Sequence, residues 1–136
     1  MSSYGLPITI EGAKKAAAAA LAEARANNWA MAVAVVDTAG YLVYFEKMDD
    51  TQLGSVVVAQ AKARAASLFK RPTKAFQDTL AAGGEGWRVL GLEGAVAVEG
   101  GIPLVIDGKI VGAIGLSGGT SAQDGQCATA GVKALG

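Results

Sequence analysis

One lysine on an apolar helix face is the residue of this sequence best suited to chemistry. Lys62 shares its face with Val58, Ala65 and Phe69, at the spacing that about 100° per residue gives to a helix. Such a lysine either extends its ammonium group to the surface or is held in a site. In a site it could bind an anion, act as a base or form a Schiff base.

A glycine-rich turn near the C-terminus is the second candidate. Ser117, Gly118, Gly119 and Thr120 stand just before a predicted helix, and Thr120 with Gln123 fits the capping-box pattern. Free N–H groups at a helix N-terminus can hold a carboxylate or a phosphate. Alternatively, the glycines only permit a sharp strand-to-helix turn. The turn lacks the lysine of a P-loop, and nucleotide binding is not predicted.

Two carboxylates could move protons beside these groups. Asp124 lies early in the last predicted helix, where the helix dipole alone favours it, and it faces the glycine-rich turn. Glu99 precedes Gly100 and Gly101 and is either a base or an ordinary carboxylate at the sheet edge. If Lys62 supplies positive charge or a base, Asp124 or Glu99 could transfer the proton. These three residues are the catalytic candidates, and no metal site is predicted.

Composition excludes several classes of function. The sequence has no histidine, which removes Ser-His-Asp and Cys-His catalysis and the commonest transition-metal ligand. Its 12 basic and 12 acidic residues balance, which argues against a nucleic-acid binder and does little to keep subunits apart. The single cysteine, Cys127, excludes an internal disulfide and is expected in the core.

The location of the protein is predicted from what the sequence lacks. The N-terminus has neither the cationic start nor the long apolar run of a signal peptide. No uncharged apolar stretch reaches the roughly 20 residues that span a bilayer. We therefore expect a cytoplasmic protein that does not enter a membrane.

Periodicity and turn residues predict the elements that must position these side chains. Helices are expected over residues 13–26, 55–69, 73–80 and 121–135, the first with Thr9 as its N-cap. Strands are expected over residues 31–37, 41–47, 95–99, 102–106 and 110–116. Short turns join two pairs of these strands, at Thr38-Ala39-Gly40 and at Asp107-Gly108. The order predicts a single domain over residues 1–136, with a mainly antiparallel sheet of about five strands covered by helices.

Long motifs in this sequence resemble a known family. They are AVAVVDTAGYLVYFEKMDD, AKARAASLF, RPT and EGGIPLVIDGKIVGAIGLSGGTSAQDGQCATAG. Together they resemble the GlcG/HbpS-like family, also called the haem-degrading domain family, from about residue 8 to residue 135. The family is also similar to the C-terminal domain of PduO-type corrinoid adenosyltransferases. The resemblance implies a profilin-like α/β (α+β) fold and homo-oligomers, from dimers up to octamers, with pockets near subunit contacts.

The resemblance implies an oligomeric small-ligand-binding protein, which we expect to be cytoplasmic because the sequence lacks an export signal. The ligand could be haem, a corrinoid-like molecule or a small organic acid, and the cofactor is otherwise open. The absence of histidine excludes members with an axial histidine as a guide, so tyrosine, lysine or methionine would have to ligate haem iron. The expected ligand-binding residues are the turn from Ser117 to Thr120, with Gly101 and Pro103.

Two further readings stay open. One is a catabolic enzyme that acts on a small carboxylate by proton transfer, tautomerisation or hydrolysis. It would use Lys62, Asp124 or Glu99, and the Ser117–Thr120 turn. The other is a structural or assembly role without a ligand.

Overall fold

The computed structural model describes residues 2–136, and its elements follow the predicted order closely. They are α1 (Ile10–Ala26), β1 (Ala32–Asp37), β2 (Leu42–Lys47), α2 (Ser55–Leu68), α3 (Thr73–Ala81), a 3₁₀ helix (Gly84–Gly91), β3 (Gly101–Ile106), β4 (Lys109–Ser117) and α4 (Ser121–Lys133). Among these described residues, no helix is both long and apolar enough to cross a membrane.

The strands form an antiparallel sheet in the order β2-β1-β4-β3. Both predicted hairpins are present, and Asp107 and Gly108 take the positive φ angles, 51° and 75°, of a tight two-residue turn. The predicted α+β class with a central antiparallel sheet and flanking helices is confirmed. The sheet described here has four strands rather than about five.

Residues 95–99 are irregular, and the prediction of a strand there is wrong. Their alternating valines have the composition of a strand, but the Glu99 N–H donates to the Gln77 side chain of α3, at 2.7 Å. Gly100, at φ 135°, then turns the chain before β3 begins. The segment therefore connects α3 and the 3₁₀ helix to the sheet instead of extending it.

Two helical layers cover the sheet. Helices α1 and α4 pack on one face, and α2 packs on the other. Along β1, Val33 and Val35 belong to the first core, whereas Ala32, Ala34 and Val36 belong to the second. The period of two in a strand produces this division.

Small residues let α2 approach the sheet closely. Its buried face carries Ala59, Ala63 and Ala66. Opposite this face, a side chain at Gly115 of β4 would collide with the backbone of α2. The low aromatic content, 6%, is therefore compatible with a close-packed core.

Candidate functional site

The ammonium group of Lys62 is buried inside the protein. Lys62 lies on the face of α2 that packs on the sheet, and it is 1% exposed. Its Nζ donates to Asp124 Oδ2 at 2.8 Å and to the Leu116 carbonyl oxygen at 2.9 Å. The lysine is therefore held in the interior, and it does not extend to the surface.

The two carboxylate oxygens of Asp124 accept hydrogen bonds from different groups, one from Lys62 and one from the glycine-rich turn. The second oxygen, Oδ1, accepts the Gly119 N–H at 3.0 Å, and the residue is 3% exposed. Burial raises the pKa of Asp124, while the Lys62 ammonium and the Gly119 N–H oppose that rise. The pair links α2, the end of β4 and the first turn of α4.

Several polar groups of the glycine-rich turn already have partners within the protein. The predicted capping box is present: the Thr120 N–H donates to Gln123 Oε1 at 3.0 Å, and the Gln123 N–H donates to Thr120 Oγ1 at 3.2 Å. The Ser117 hydroxyl is buried against the Ser55 hydroxyl at 3.0 Å, and Gly118 packs on the Ala30 carbonyl. With Gly119 bonded to Asp124, anion binding by this turn stays a prediction that would require these bonds to open.

A small cleft lies beside the ion pair, between α3, β3 and α4. Its volume is about 210 Å³, and its lining residues are Pro72, Lys74, Glu99, Gly100, Gly101, Ile102, Gly125 and Thr129. We call it the Glu99 cleft. A Cβ at Gly100 would lie 2.8 Å from Lys62 Nζ, and one at Gly101 would collide with the Lys62 backbone. Glycines therefore separate the cleft from the buried pair.

Two opposite charges line the Glu99 cleft. Among residues 2–136, the Glu99 carboxylate has no hydrogen-bond or ion-pair partner. The Lys74 ammonium contacts Asp78 at 3.0 and 3.1 Å, in an exposed pair one helical turn apart. The pKa of Lys74 is raised, first by the hydrogen bond to Asp78, then by the charge of Asp78, and least by the negative charge of Glu99.

The structure divides the predicted site residues into three groups. Glu99 and Gly101 line the cleft, and Lys62 and Asp124 lie buried beneath its glycines. The turn from Ser117 to Thr120 contacts this pair through Gly119 and lies outside the cleft lining. Pro103 is buried in β3 and also lies outside that lining.

Sequence reasoning missed the contribution of α3. Lys74 and Pro72 line the cleft because the Thr73 hydroxyl accepts the Gly101 N–H, at 3.0 Å, which fixes α3 beside β3. The spacing of Lys74 and Asp78 is typical of an exposed helical ion pair. It contains no signal that this helix borders a cleft.

The tyrosines, Met48 and Cys127 do not offer a sheltered and free axial donor for haem within one subunit. The Tyr4 hydroxyl donates to a backbone carbonyl at 2.6 Å, and the Tyr44 hydroxyl donates to a glutamate at 2.6 Å. Met48 sulfur accepts a backbone N–H at 3.4 Å. Cys127 is buried, as expected, and burial raises the pKa of its thiol to about 12. Tyr41 is 74% exposed, so no sheltered and uncommitted axial donor is present among them.

Fold and site together define a profilin-like α+β domain with a glycine-lined cleft beside a buried ion pair. Residues 8–133 match the family described as "Haem degrading protein HbpS-like". The chain is 39% identical to Protein GlcG of Escherichia coli K12 over 100 residues, which cover 74% of this chain and 73% of the relative. This chain belongs to the HbpS-like family.

Solved structures agree with this assignment. A double mutant of HbpS from Streptomyces reticuli superposes with a TM-score of 0.88 and 30% identity, and the match covers 98% of this chain and 90% of that one. A structure described as the PduOC:Heme complex superposes with a TM-score of 0.85 and 26% identity, covering 96% of each chain. The recognised family and its fold are therefore confirmed.

Proposed function

We propose that this protein is a small-ligand-binding protein that holds a small organic carboxylate in the Glu99 cleft. The observation that carries the proposal is the position of Lys74 at a glycine-lined cleft of about 210 Å³. Pockets for drug-sized ligands usually measure about 300–1,000 Å³. The volume of this cleft therefore favours a ligand of a few heavy atoms.

Lys74 is free to exchange its partner for a ligand. Its contact with Asp78 is exposed, with the two side chains 51% and 61% accessible. Exposed pairs at this helical spacing contribute little to stability, because solvent screens them. A ligand carboxylate that forms a charge-assisted hydrogen bond with Lys74 can therefore displace Asp78 at little cost.

The buried pair favours a binding role over a catalytic one. Lys62 and Asp124 are 1% and 3% exposed, and each is committed to the other and to a backbone group. A ligand in the cleft would contact Gly100 and Gly101, which separate the cleft from Lys62 and Asp124. Catalysis by Lys62 or Asp124 would require a local opening, whereas binding at Lys74 requires none.

Titration calorimetry with small monocarboxylates tests the proposal. We expect saturable binding of at least one such acid, and Lys74→Met should weaken it about tenfold, because a charge-assisted hydrogen bond is lost. Lys14→Met is the matched control, since Lys14 is an exposed lysine of α1 that does not line the cleft. Absence of binding, or equal loss in both variants, would contradict the proposal.

Haem is the second candidate ligand. It is favoured by the likeness to the PduOC:Heme complex, and the positions of the tyrosines, Met48 and Cys127 argue against axial ligation by these residues within one subunit. A haem titration separates the two candidates. A Soret shift that saturates near one haem per subunit, with no binding of small acids, would replace the carboxylate proposal.

A further inference from the structure

The Glu99 carboxylate is placed in the cleft without a partner. Its backbone N–H is fixed by Gln77 at 2.7 Å, and Gly100 follows in a conformation that side chains rarely adopt, at φ 135°. Both constraints hold the residue at the junction of the irregular segment and β3. Its side chain is half-buried, and its carboxylate oxygens stay accessible to a ligand in the cleft.

Gly125 provides the space that this carboxylate occupies. Any side chain at position 125 would collide with the Glu99 carboxyl group. Gly125 lies inside α4, where glycine costs about 1 kcal/mol relative to alanine. The glycine therefore lowers helix propensity at a position of α4 where a side chain would displace the Glu99 carboxyl group.

We propose that Glu99 is a specificity-determining residue that selects ligands with a hydrogen-bond donor next to their carboxylate, namely 2-hydroxy acids and 2-amino acids. This inference rests on the proposed function, in which Lys74 binds the ligand carboxylate. An ionised carboxylate only accepts hydrogen bonds. Glu99 therefore repels a plain carboxylate ligand and attracts one that presents a hydroxyl or an ammonium group.

Three acids of nearly equal size test the selection. Propionate, lactate and alanine carry hydrogen, hydroxyl and ammonium at the same carbon. In calorimetry on the wild-type protein, we expect lactate and alanine to bind about tenfold more tightly than propionate, because each adds a hydrogen bond to a charged group.

Removal of the Glu99 carboxylate should abolish the preference. Glu99→Ala should bind the three acids with affinities within about twofold of one another, and propionate should bind more tightly than it does to the wild type. Glu93→Ala, at an exposed glutamate outside the cleft lining, should keep the wild-type preference. Gly125→Ala displaces the carboxylate without removing it and should also lose the preference, with circular dichroism confirming that each variant is folded.

Each outcome separates this inference from the function on which it rests. Equal binding of the three acids to the wild type, or a preference that survives in Glu99→Ala, overturns the selection by Glu99 and leaves the carboxylate site in place. If no acid binds to the wild type, both proposals fail. A preference that disappears in Glu99→Ala and in Gly125→Ala, and persists in Glu93→Ala, supports both.

Discussion

At the scale of single residues, the ion pair of Lys62 and Asp124 is where a substitution has the largest consequence. Both side chains are buried and hydrogen-bonded, so removal of one leaves an uncompensated charge in the interior. Lys62→Met should lower the free energy of unfolding by about 3–5 kcal/mol. Urea denaturation followed by circular dichroism measures this loss.

The double variant tests whether the loss arises from the unpaired charge. With Lys62→Met and Asp124→Asn together, no charge stays buried, and the asparagine oxygen can still accept the Gly119 N–H. We expect the double variant to recover most of the stability, because well-packed neutral replacements of buried pairs are often tolerated. A single variant that loses less than about 1 kcal/mol would contradict the burial argument.

The thiol of Cys127 should be inert in the folded protein. Burial raises its pKa from 9.0 to about 12, so at pH 8 its thiolate fraction is about a thousandfold below that of an unfolded chain. We expect a thiol reagent to label urea-unfolded protein within minutes and native protein far more slowly. Rapid native labelling would show that the α4 face opens.

The raised pKa of Cys127 also determines how the stability of the protein changes with pH. Because the native state holds the thiol proton more tightly than the unfolded state does, this group's contribution to stability falls as the pH rises above 9.0. Cys127→Ala should therefore lose less stability than the wild type between pH 8 and pH 10. Parallel urea titrations at the two pH values measure the difference.

At the scale of elements, the close contact of α2 with β4 depends on Gly115. A Cβ there would collide with the backbone of α2, which cannot move without disturbing the second core. Gly115→Ala should cost about 1–3 kcal/mol of unfolding free energy. Gly91→Ala is the control, because nothing lies within 4 Å of a Cβ at that exposed glycine. Similar denaturation midpoints for both variants would show that α2 can shift.

Local pattern predicted the elements well wherever a segment interacts mainly with itself or its neighbour. The two hairpins and the capped helices are of this kind, and their predicted ends agree with the structure to within about three residues. Residues 95–99 have the composition of a strand, but a side chain of α3 binds the Glu99 N–H. That contact lies 22 positions away in the sequence, and no local pattern could have contained it.

At the scale of the whole molecule, the site could be predicted only in part. The types of Lys62, Asp124 and Glu99 identified them as candidates. However, Lys62 and Asp124 are 62 positions apart, and only the packing of α2 against β4 brings them together. The involvement of Lys74 depends on the docking of α3 through Thr73. Residue type identified the candidates, and topology decided which of them lie close together.

The face of the sheet that α2 covers is left open at its β2 edge. Leu42 of β2 and Val57 of α2 are 49% and 70% exposed, and together they border an open cleft of about 280 Å³. Val58 and Leu53, which lie close to Val57 in the sequence, are also exposed, at 38% and 81%. We call these four residues the α2 edge surface. Exposed apolar patches of this kind commonly mark contacts between proteins.

We expect copies of this chain to assemble through the α2 edge surface, since a balanced formal charge gives no net repulsion between them. Val57→Asp should place a charge in that contact and shift the mass measured by light scattering after gel filtration to that of a smaller species. Leu90→Asp is the control, because Leu90 is equally exposed, at 71%, and lies on the 3₁₀ helix. A wild-type monomer, or a change of mass in Leu90→Asp alone, would contradict this assignment. If Val57→Asp dissociates the assembly and still binds the acid as tightly, then the Glu99 cleft is complete within one subunit.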